Sequence, residues 1–165
     1  MNYGKINTHD IANGPGVRVS LFVSGCRNHC PGCFNPETWD FNYGSPFTFE
    51  ILDYLVSAVE QSHIAGLSVL GGEPLEKENV ECLTDVCSLL KQKCPEKTIW
   101  LYTGRLWESV RQFDIMKYLD VLVDGPFLED RKNIRLKFRG SENQRVIDVP
   151  ASLKSGFIKL YDLGE

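Results

Sequence analysis

The sequence has no long hydrophobic run and no excess of positive charge. No stretch approaches the roughly 20 apolar residues that a membrane-spanning helix needs. The first residues, Met1 to Lys5, lack the apolar core of a secretory signal. A net charge of −4 argues against a general binder of nucleic acid or of anionic membranes, because both need positive potential. We therefore expect a cytoplasmic protein with no nucleic-acid and no membrane partner.

Repeats, low-complexity tracts and linkers rich in proline or serine are also missing. A chain of 165 residues suits one domain, and a chain of this size removes roughly two-thirds or more of its unfolded surface from water. The hydrophobic content of 42% and the charged content of 24% are ordinary for a globular protein and exclude wholesale disorder. We expect a single domain over residues 1–165.

An alternation of β-rich runs and helical spacing is present instead. The predicted strands cover 17–23, 66–70, 98–102 and 121–123, with shorter candidates at 146–149 and 157–161. The predicted helices run from an N-cap at Thr48 to about 62, over about 80–90, and over 106–116. This order is typical of parallel α/β folds. Because a complete eight-stranded barrel takes roughly 200–250 residues, we expect a partial, open parallel β/α barrel of about five to six strands.

Each of the four main predicted strands runs into a loop that contains glycine. These loops are Ser24-Gly25, Gly71-Gly72, Thr103-Gly104 and Asp124-Gly125. In barrels and open α/β sheets, active sites are built at the carboxyl ends of the strands. The functional site is therefore expected at this edge.

Three of the six cysteines form a Cys26-x3-Cys30-x2-Cys33 motif in the first of these loops. Structural zinc takes four closed ligands, and His29 as the fourth would be strained because it directly precedes Cys30. A 4Fe–4S cluster held by three thiolates leaves one iron open for an exogenous ligand. The spacing favours such a cluster, while a zinc site and incidental buried cysteines remain alternatives.

The other three cysteines follow no common metal-binding spacing. Cys82 and Cys87 lie on a helical pattern and are expected to be core thiols, and Cys94 is expected near a helix end or the surface. A second cluster built from these three is the alternative.

Several motifs together resemble a known family. The cysteine motif after the first strand, with Gly71-Gly72-Glu73-Pro74 after the second, resembles the signature of radical S-adenosylmethionine (SAM) enzymes. Further matching segments are Asn13-Gly14-Pro15-Gly16-Val17-Arg18, Phe34-Asn35 with Thr38-Trp39, Asp124-Gly125-Pro126-Phe127, and Arg139-Gly140-Ser141-x-Asn143-Gln144. Over nearly the whole chain, the set resembles the activating proteins of anaerobic (class III) ribonucleotide reductases.

The resemblance implies a radical SAM domain, its partial barrel and its activity. Cys26, Cys30 and Cys33 would hold one 4Fe–4S cluster, and SAM would chelate the open iron through its amino and carboxylate groups. A reduced flavodoxin-like donor would supply the electron that cleaves SAM. The resulting 5′-deoxyadenosyl radical would take a hydrogen atom from a glycine of the large reductase subunit and leave a glycyl radical there.

The resemblance also implies SAM contacts. Gly71 and Gly72 would let the backbone approach the methionine end of SAM, and Glu73 would orient that loop. The adenine contacts would come from the backbone at Gly32 and Cys33 and from the ring of Phe34. Thr103 would reach the ribose or the carboxylate.

Other functions remain open at this point. The target could be another glycyl-radical enzyme of the pyruvate formate-lyase type or a small molecule, and a non-catalytic iron–sulfur or zinc module is the alternative without catalysis. The basic stretch 131–145 is expected either to dock the reductase or to brace the fold. Asp124 is expected to brace a strand end or to lie near SAM, and the segment 13–16 to form a turn or to shape the site.

Overall fold

The computed structural model describes residues 1–164, and these contain one seven-stranded sheet and four α-helices. The strands are β1 (Asn2–Asp10), β2 (Arg18–Val23), β3 (Ser45–Pro46), β4 (Gly66–Gly71), β5 (Thr98–Tyr102), β6 (Val121–Asp124) and β7 (Arg145–Asp148). The helices are α1 (Phe49–Glu60), α2 (Lys77–Lys93), α3 (Trp107–Val110) and α4 (Val149–Ser155). The strand order is β3-β1-β2-β4-β5-β6-β7.

The middle of the sheet is parallel and both margins are antiparallel. β2, β4, β5 and β6 run parallel to one another, whereas β1, β3 and β7 each run antiparallel to a neighbour. The α/β class is confirmed. The expectation of five to six parallel strands is wrong, because the sheet has seven strands of mixed direction. The carboxyl ends of the four parallel strands nevertheless share one edge, as the glycine loops predicted.

The two faces of the central strands carry different side chains, since successive residues of a strand alternate between faces. Val19, Leu21 and Val69 are buried in the larger hydrophobic cluster together with apolar residues of α1 and α2. The other face carries Ser68, and Trp100 packs there in a smaller cluster. Tyr102 and Phe138 pack against this smaller cluster.

Arg18 lies fully buried on this second face, and only neutral oxygens accept its hydrogen bonds. Its guanidinium donates to Ser68 Oγ at 2.8 Å and to the carbonyls of Leu67 and Thr98, each at 2.9 Å. Burial lowers the pKa of Arg18 to about 10. Ser68 Oγ in turn donates to the carbonyl of Asn13 at 2.6 Å. The Asn13–Arg18 motif therefore ties the turn before β2 to the base of the sheet.

The first two predicted helices are confirmed. Thr48 is the N-cap of α1, and its Oγ1 accepts from the Ile51 N–H at 3.3 Å. The helix predicted at 80–90 extends over the whole of α2 and ends before Pro95. Cys94 is its C-cap and is buried.

The single helix predicted over 106–116 is wrong. α3 has one turn, and a 3-10 turn over Asp114–Tyr118 follows it. Phe113 adopts an extended backbone between them (φ −67°, ψ 140°). This break lets Trp107 of α3 and Ile115 of the second turn both enter the core. The apolar spacing therefore reflected two short turns rather than one continuous helix.

The elements of the C-terminal region begin and end at different residues from those predicted. The strand predicted at 146–149 is β7, but Val149 already begins α4, whose N-cap Asp148 accepts from the Ala151 N–H at 3.0 Å. The strand predicted at 157–161 is reduced to a single bridge between Leu160 and Ile147. Within residues 1–164, no helix combines the length and apolar character that a membrane crossing requires.

Candidate functional site

A cleft of about 470 Å³ lies at the carboxyl ends of the parallel strands. Its volume is within the range of small-molecule sites, about 300–1,000 Å³. One side is the cysteine loop, residues 24–44, and the opposite side, the far wall, is formed by residues 125–144. The predicted site residues that line the cleft are Cys26, Cys30, Cys33, Phe34, Gly71, Gly72, Glu73 and Thr103. Gly32 does not line it.

The three cysteines carry free thiols at one end of this cleft. Cys26 is buried, and its Sγ accepts from the Asn28 N–H at 3.4 Å. Burial is the largest influence on the pKa of Cys26 and raises it, while the N–H groups of Asn28 and His29 act in the opposite direction. Cys30 and Cys33 are half-buried and joined by a turn in which the Cys33 N–H donates to the Cys30 carbonyl at 3.1 Å.

The described residues, 1–164, contain no three His, Cys, Asp or Glu side chains close enough to hold one metal ion. A zinc site needs four ligands on a single ion, whereas thiolates on a 4Fe–4S cluster each bind a different iron. The exposed ring of His29 stacks on Trp39 instead, with a centroid distance of 4.4 Å.

Glu73 joins three loops at the base of the cleft. Its buried carboxylate accepts from Thr103 Oγ1 at 2.7 Å, from the N–H groups of Gly104 at 2.8 Å and Leu75 at 3.0 Å, and from Asn28 Nδ2 at 3.1 Å. Burial raises the pKa of Glu73, and these hydrogen bonds oppose that effect. Asn28 lies between Cys26 and Cys30, so the carboxylate fixes the cysteine loop to the ends of β4 and β5. The hydroxyl of Thr103 is thereby engaged with Glu73.

A second buried carboxylate, Glu76, holds the same loop. It accepts from the backbone N–H of Arg27 at 2.9 Å, from the Arg27 guanidinium at 2.7 Å and from Arg105 at 3.3 Å. Arg27 also pairs with Glu78 at 2.5 Å. This clamp was not predicted from the sequence. A charged residue between the first two cysteines was the only signal for it.

Gly71 and Gly72 are required by the packing of the chain itself. Gly71 has φ +111°, and a Cβ on it would lie 2.5 Å from the backbone nitrogen of Val23. A Cβ on Gly72 would lie 2.6 Å from the carbonyl oxygen of Gly25 and 2.9 Å from that of Thr38. The end of β4 thus packs directly against the cysteine loop. Any side chain at Gly72 would displace the loop that carries the cysteines.

Gly32 and Phe34 flank Cys33 but face different surroundings. Gly32 has φ +75°, and a Cβ on it would lie 2.7 Å from the carboxyl carbon of Glu129. The ring of Phe34 is 63% exposed at the cleft mouth, 5.0 Å from the ring of Phe127, with Lys132 Nζ 5.1 Å from its centroid. The ring of Phe34 is therefore covered in part by Lys132, and much of its remaining surface is open at the cleft mouth.

The far wall is braced largely by its own side chains. Gln144 Oε1 accepts from the N–H groups of Gly140 at 2.9 Å and Ser141 at 3.1 Å, while its Nε2 donates to the Gly125 carbonyl at 3.1 Å. Asn143 Nδ2 donates to the carbonyl of Pro126 at 2.8 Å. The Gly140–Gln144 part of the motif therefore shapes the loop after β6.

Asp124 is also a brace. It is fully buried, pairs with Arg145 at 2.5 Å and accepts from the Trp107 N–H at 2.7 Å. These contacts join β6, β7 and α3. They support the bracing alternative for Asp124.

Two cleft-lining side chains keep polar atoms without a partner. The hydroxyl of Tyr102 and the Nε of Arg139 are buried, and neither forms a hydrogen bond to another described residue. Buried polar groups are normally paired, so these two donors stand out among the residues that line the cleft. Nothing in the sequence distinguishes Tyr102, whereas Arg139 begins the Arg139–Gln144 motif that the sequence analysis quoted without assigning it to SAM.

Comparison with known proteins identifies the family of this chain. A family model described as a 4Fe-4S single cluster domain matches residues 12–147. The anaerobic ribonucleoside-triphosphate reductase-activating protein of Enterobacteria phage T4 is 43% identical over 148 residues, which is 88% of this chain and 93% of the relative. The chain belongs to this activating-protein family. Its Escherichia coli K12 member is 41% identical over 150 residues (88% of this chain, 97% of the relative), and its Haemophilus influenzae member is 37% identical over 148 residues (87% and 96%).

Proposed function

We propose that this protein is a radical SAM activating enzyme that installs a glycyl radical on an anaerobic ribonucleotide reductase. The chemistry comes from the bound groups: one-electron reduction of SAM at a 4Fe–4S cluster yields methionine and a 5′-deoxyadenosyl radical, which becomes 5′-deoxyadenosine by taking a hydrogen atom from a glycine Cα. The protein supplies binding, orientation and exclusion of water.

One observation carries this proposal. Three free thiols and two unpaired buried polar groups line the same cleft, in a chain of a family whose model describes a single 4Fe-4S cluster. A metal module that only folds or transfers electrons needs no ligand-sized cavity beside its cysteines. The cleft therefore favours a catalytic centre with a second, organic ligand.

The residues of the cleft fit both groups. Cys26, Cys30 and Cys33 would hold the cluster as thiolates, with the Asn28 N–H donating to the first sulfur. Arg139 and Tyr102 would donate to oxygens of SAM, because their buried donors have no other acceptor within residues 1–164. Phe34 would cover the adenine, and the backbone beside Gly71 and Gly72 would face the methionine end.

Glu73, Glu76 and Thr103 act on the loop rather than on the cofactor. Their hydrogen bonds hold the segment between the first two cysteines against β4 and β5. They are positioning residues in this proposal. They fix the thiols before the metal arrives, so less ordering is needed when the cluster binds.

The partner follows from the relatives, whose names describe them as activating an anaerobic ribonucleoside-triphosphate reductase. We infer that the large reductase subunit presents its glycine at the cleft mouth and that a reduced flavodoxin-like protein delivers the electron. Residues 1–164 contain six free cysteines and no disulfide, which suits a reducing cytoplasm. We also infer that the sheet curves as the open barrel of radical SAM proteins does.

The deciding experiment combines the reconstituted protein, SAM, a strong reductant and the purified reductase subunit under anaerobic conditions. A glycyl radical should appear on the reductase in electron paramagnetic resonance (EPR), together with 5′-deoxyadenosine. Parallel samples should contain a pyruvate formate-lyase type partner in place of the reductase. A radical on that partner alone would reassign the target, and SAM turnover without any protein radical would point to a small-molecule substrate.

A further inference from the structure

The segment 131–137 forms an exposed lip beside the cleft mouth, distinct from the bracing residues that follow it. A bridge between Lys132 and Ser141 anchors it. The Asn133 N–H donates to the Gly140 carbonyl at 3.2 Å, and the Glu142 N–H donates to the Arg131 carbonyl at 3.0 Å. The lip is therefore a fixed part of the far wall.

The lip carries four exposed cations, Arg131, Lys132, Arg135 and Lys137. Among the described residues none of the four forms an ion pair, whereas Arg27, Arg105 and Arg145 all do. The segment contains no acidic residue, although the whole chain has a net charge of −4. Glu129, Asp130 and Glu142 are exposed beside the lip, and Glu142 accepts from Asn133 Nδ2 at 3.2 Å, but none of them pairs with a lip cation. The four cations are thus free of ion pairs at one edge of the site.

Apolar side chains accompany these cations. Ile134 is 90% exposed at the lip, and Phe34 is 63% exposed across from it. Both line the cleft mouth, as do Lys132, Asn133 and Leu136. An exposed apolar patch rimmed by charge marks an interaction surface, and a molecule seated on the lip would cover the mouth.

We propose that the lip is the docking surface for an acidic segment of the reductase subunit, with an apolar side chain of that segment packed on Ile134. This inference rests on the proposed function and specifies how its partner is held. Opposite charge steers the encounter and fixes its register. The seated segment would shield the cleft from water while the partner's glycine is inside.

A protein suits this surface better than a nucleic acid does. The lip is one short segment in an acidic chain, whereas nucleic-acid binders spread positive charge along a face or groove. Beside its cations, the most exposed side chain is an isoleucine, which has no role in binding phosphate. Nucleic-acid binding is therefore an outcome that the experiment must be able to reveal.

The test uses two double variants of the complete, reconstituted protein with equal net charge. Arg131→Glu with Arg135→Glu reverses the lip, and Lys93→Glu with Lys154→Glu reverses two exposed cations at the ends of α2 and α4. The dissociation constant for the purified reductase subunit is measured at low and high salt. The lip variant should bind at least about tenfold more weakly at low salt, with a smaller salt dependence, and the control should bind like the unchanged protein.

Two further readouts separate this inference from the proposed function. SAM cleavage by a chemical reductant, without the reductase, should be equal in the lip variant and the unchanged protein, while glycyl radical formation falls. Ile134→Asp should weaken binding and Ile134→Leu should preserve it.

Equal binding by the lip variant and the unchanged protein would overturn the docking inference alone. Absence of SAM cleavage in the unchanged protein would overturn the proposed function. If lip reversal abolished binding of a DNA oligonucleotide but not of the reductase, the lip would be a nucleic-acid site and the docking inference would fail.

Discussion

The cysteine loop and the far wall of the cleft treat their polar groups in opposite ways. The cysteine loop is held by two buried carboxylates, Glu73 and Glu76, whose acceptors are all engaged with groups of the chain. In the far wall, Gln144 braces the backbone, but Arg139 Nε has no hydrogen-bond partner. The hydroxyl of Tyr102, at the end of β5, is also unpaired.

We interpret this difference as a division between holding the cysteine loop in place and binding a ligand. In the proposed function the cysteines bind the cluster, and the support that Glu73 and Glu76 give to their loop lowers the ordering that this binding requires. A ligand-binding wall must keep donors free, because a donor that is already paired gains little from a ligand. The paired carboxylates thus lie beside the cysteine loop, and the unpaired donors are found among the other residues that line the cleft.

The largest effect is expected from removing a thiol of the cysteine loop. Cys30→Ala should lose most of the bound iron and reduce SAM cleavage to background, because the two thiolates that remain are too few to anchor the cluster. Iron and sulfide analysis after anaerobic reconstitution measures this. Cys82→Ala on α2 is the matched control and should retain both. A full cluster in Cys30→Ala would remove this cysteine from the ligand set.

A smaller but substantial effect is expected at the clamp. Glu73→Gln should lower the free energy of unfolding by about 2 kcal/mol, because an amide group then faces the N–H and O–H donors that the carboxylate accepts. Denaturant unfolding of the cluster-free protein measures it, with the exposed Glu96→Gln as control, expected within about 0.5 kcal/mol of the unchanged protein. Equal stability of both variants would show that the clamp contributes little.

Changes to the unpaired donors of the cleft should affect ligand binding rather than stability, in contrast to changes at the clamp. Arg139→Gln should weaken SAM binding about tenfold without lowering stability, because its Nε has no partner to lose within the described chain. Tyr102→Phe should also weaken binding, while raising the free energy of unfolding by about 1 kcal/mol through removal of an unpaired buried hydroxyl. Equilibrium binding and thermal unfolding are compared on the same samples. A loss of stability in both variants would contradict the contrast between the two sides.

The ligand end that Arg139 contacts can be read from analogues. If it binds the carboxylate, Arg139→Gln should weaken S-adenosylhomocysteine but leave methylthioadenosine, which lacks the amino acid, unchanged. Weakening of both analogues would place Arg139 at the nucleoside instead.

The smallest effect is expected at the mouth. Phe34→Leu should weaken SAM binding only severalfold, because the ring is 63% exposed and leucine keeps part of its apolar surface. Stability should change by less than about 0.5 kcal/mol. Fluorescence or calorimetric titration distinguishes this from an unchanged affinity, which would remove Phe34 from the site.

The parts of the fold that follow from local pattern were predictable. β2, β4, β5 and β6 are buried apolar runs that end in glycine loops, so their position and parallel order could be predicted. β1 was missed because it lies near the margin of the sheet and is half-buried, with polar residues such as Asn7 along its length. The two turns at 107–118 were merged because both bury apolar residues at helix-like spacing.

The candidate site also contains residues that a local pattern predicts and residues whose roles depend on the three-dimensional fold. The cysteines and the Gly71–Glu73 loop could be predicted because spacing and motif carry them, and the cleft does bring them together. Glu76 and Tyr102 could not, since their roles depend on which residues lie opposite them in three dimensions. Gly72 was selected from the motif as a SAM contact, which stays a prediction, and its packing against the carbonyl of Gly25 is a separate role that sequence alone does not reveal.

The most direct test of the account is the EPR spectrum of the reduced protein with and without SAM. If three cysteines hold a 4Fe–4S cluster and leave one iron for SAM, reconstituted protein should contain about four irons per chain, and its reduced spectrum should shift when SAM is added. Arg139→Gln should require a higher SAM concentration for the same shift. A fully loaded cluster whose spectrum is unchanged at saturating SAM would contradict the account.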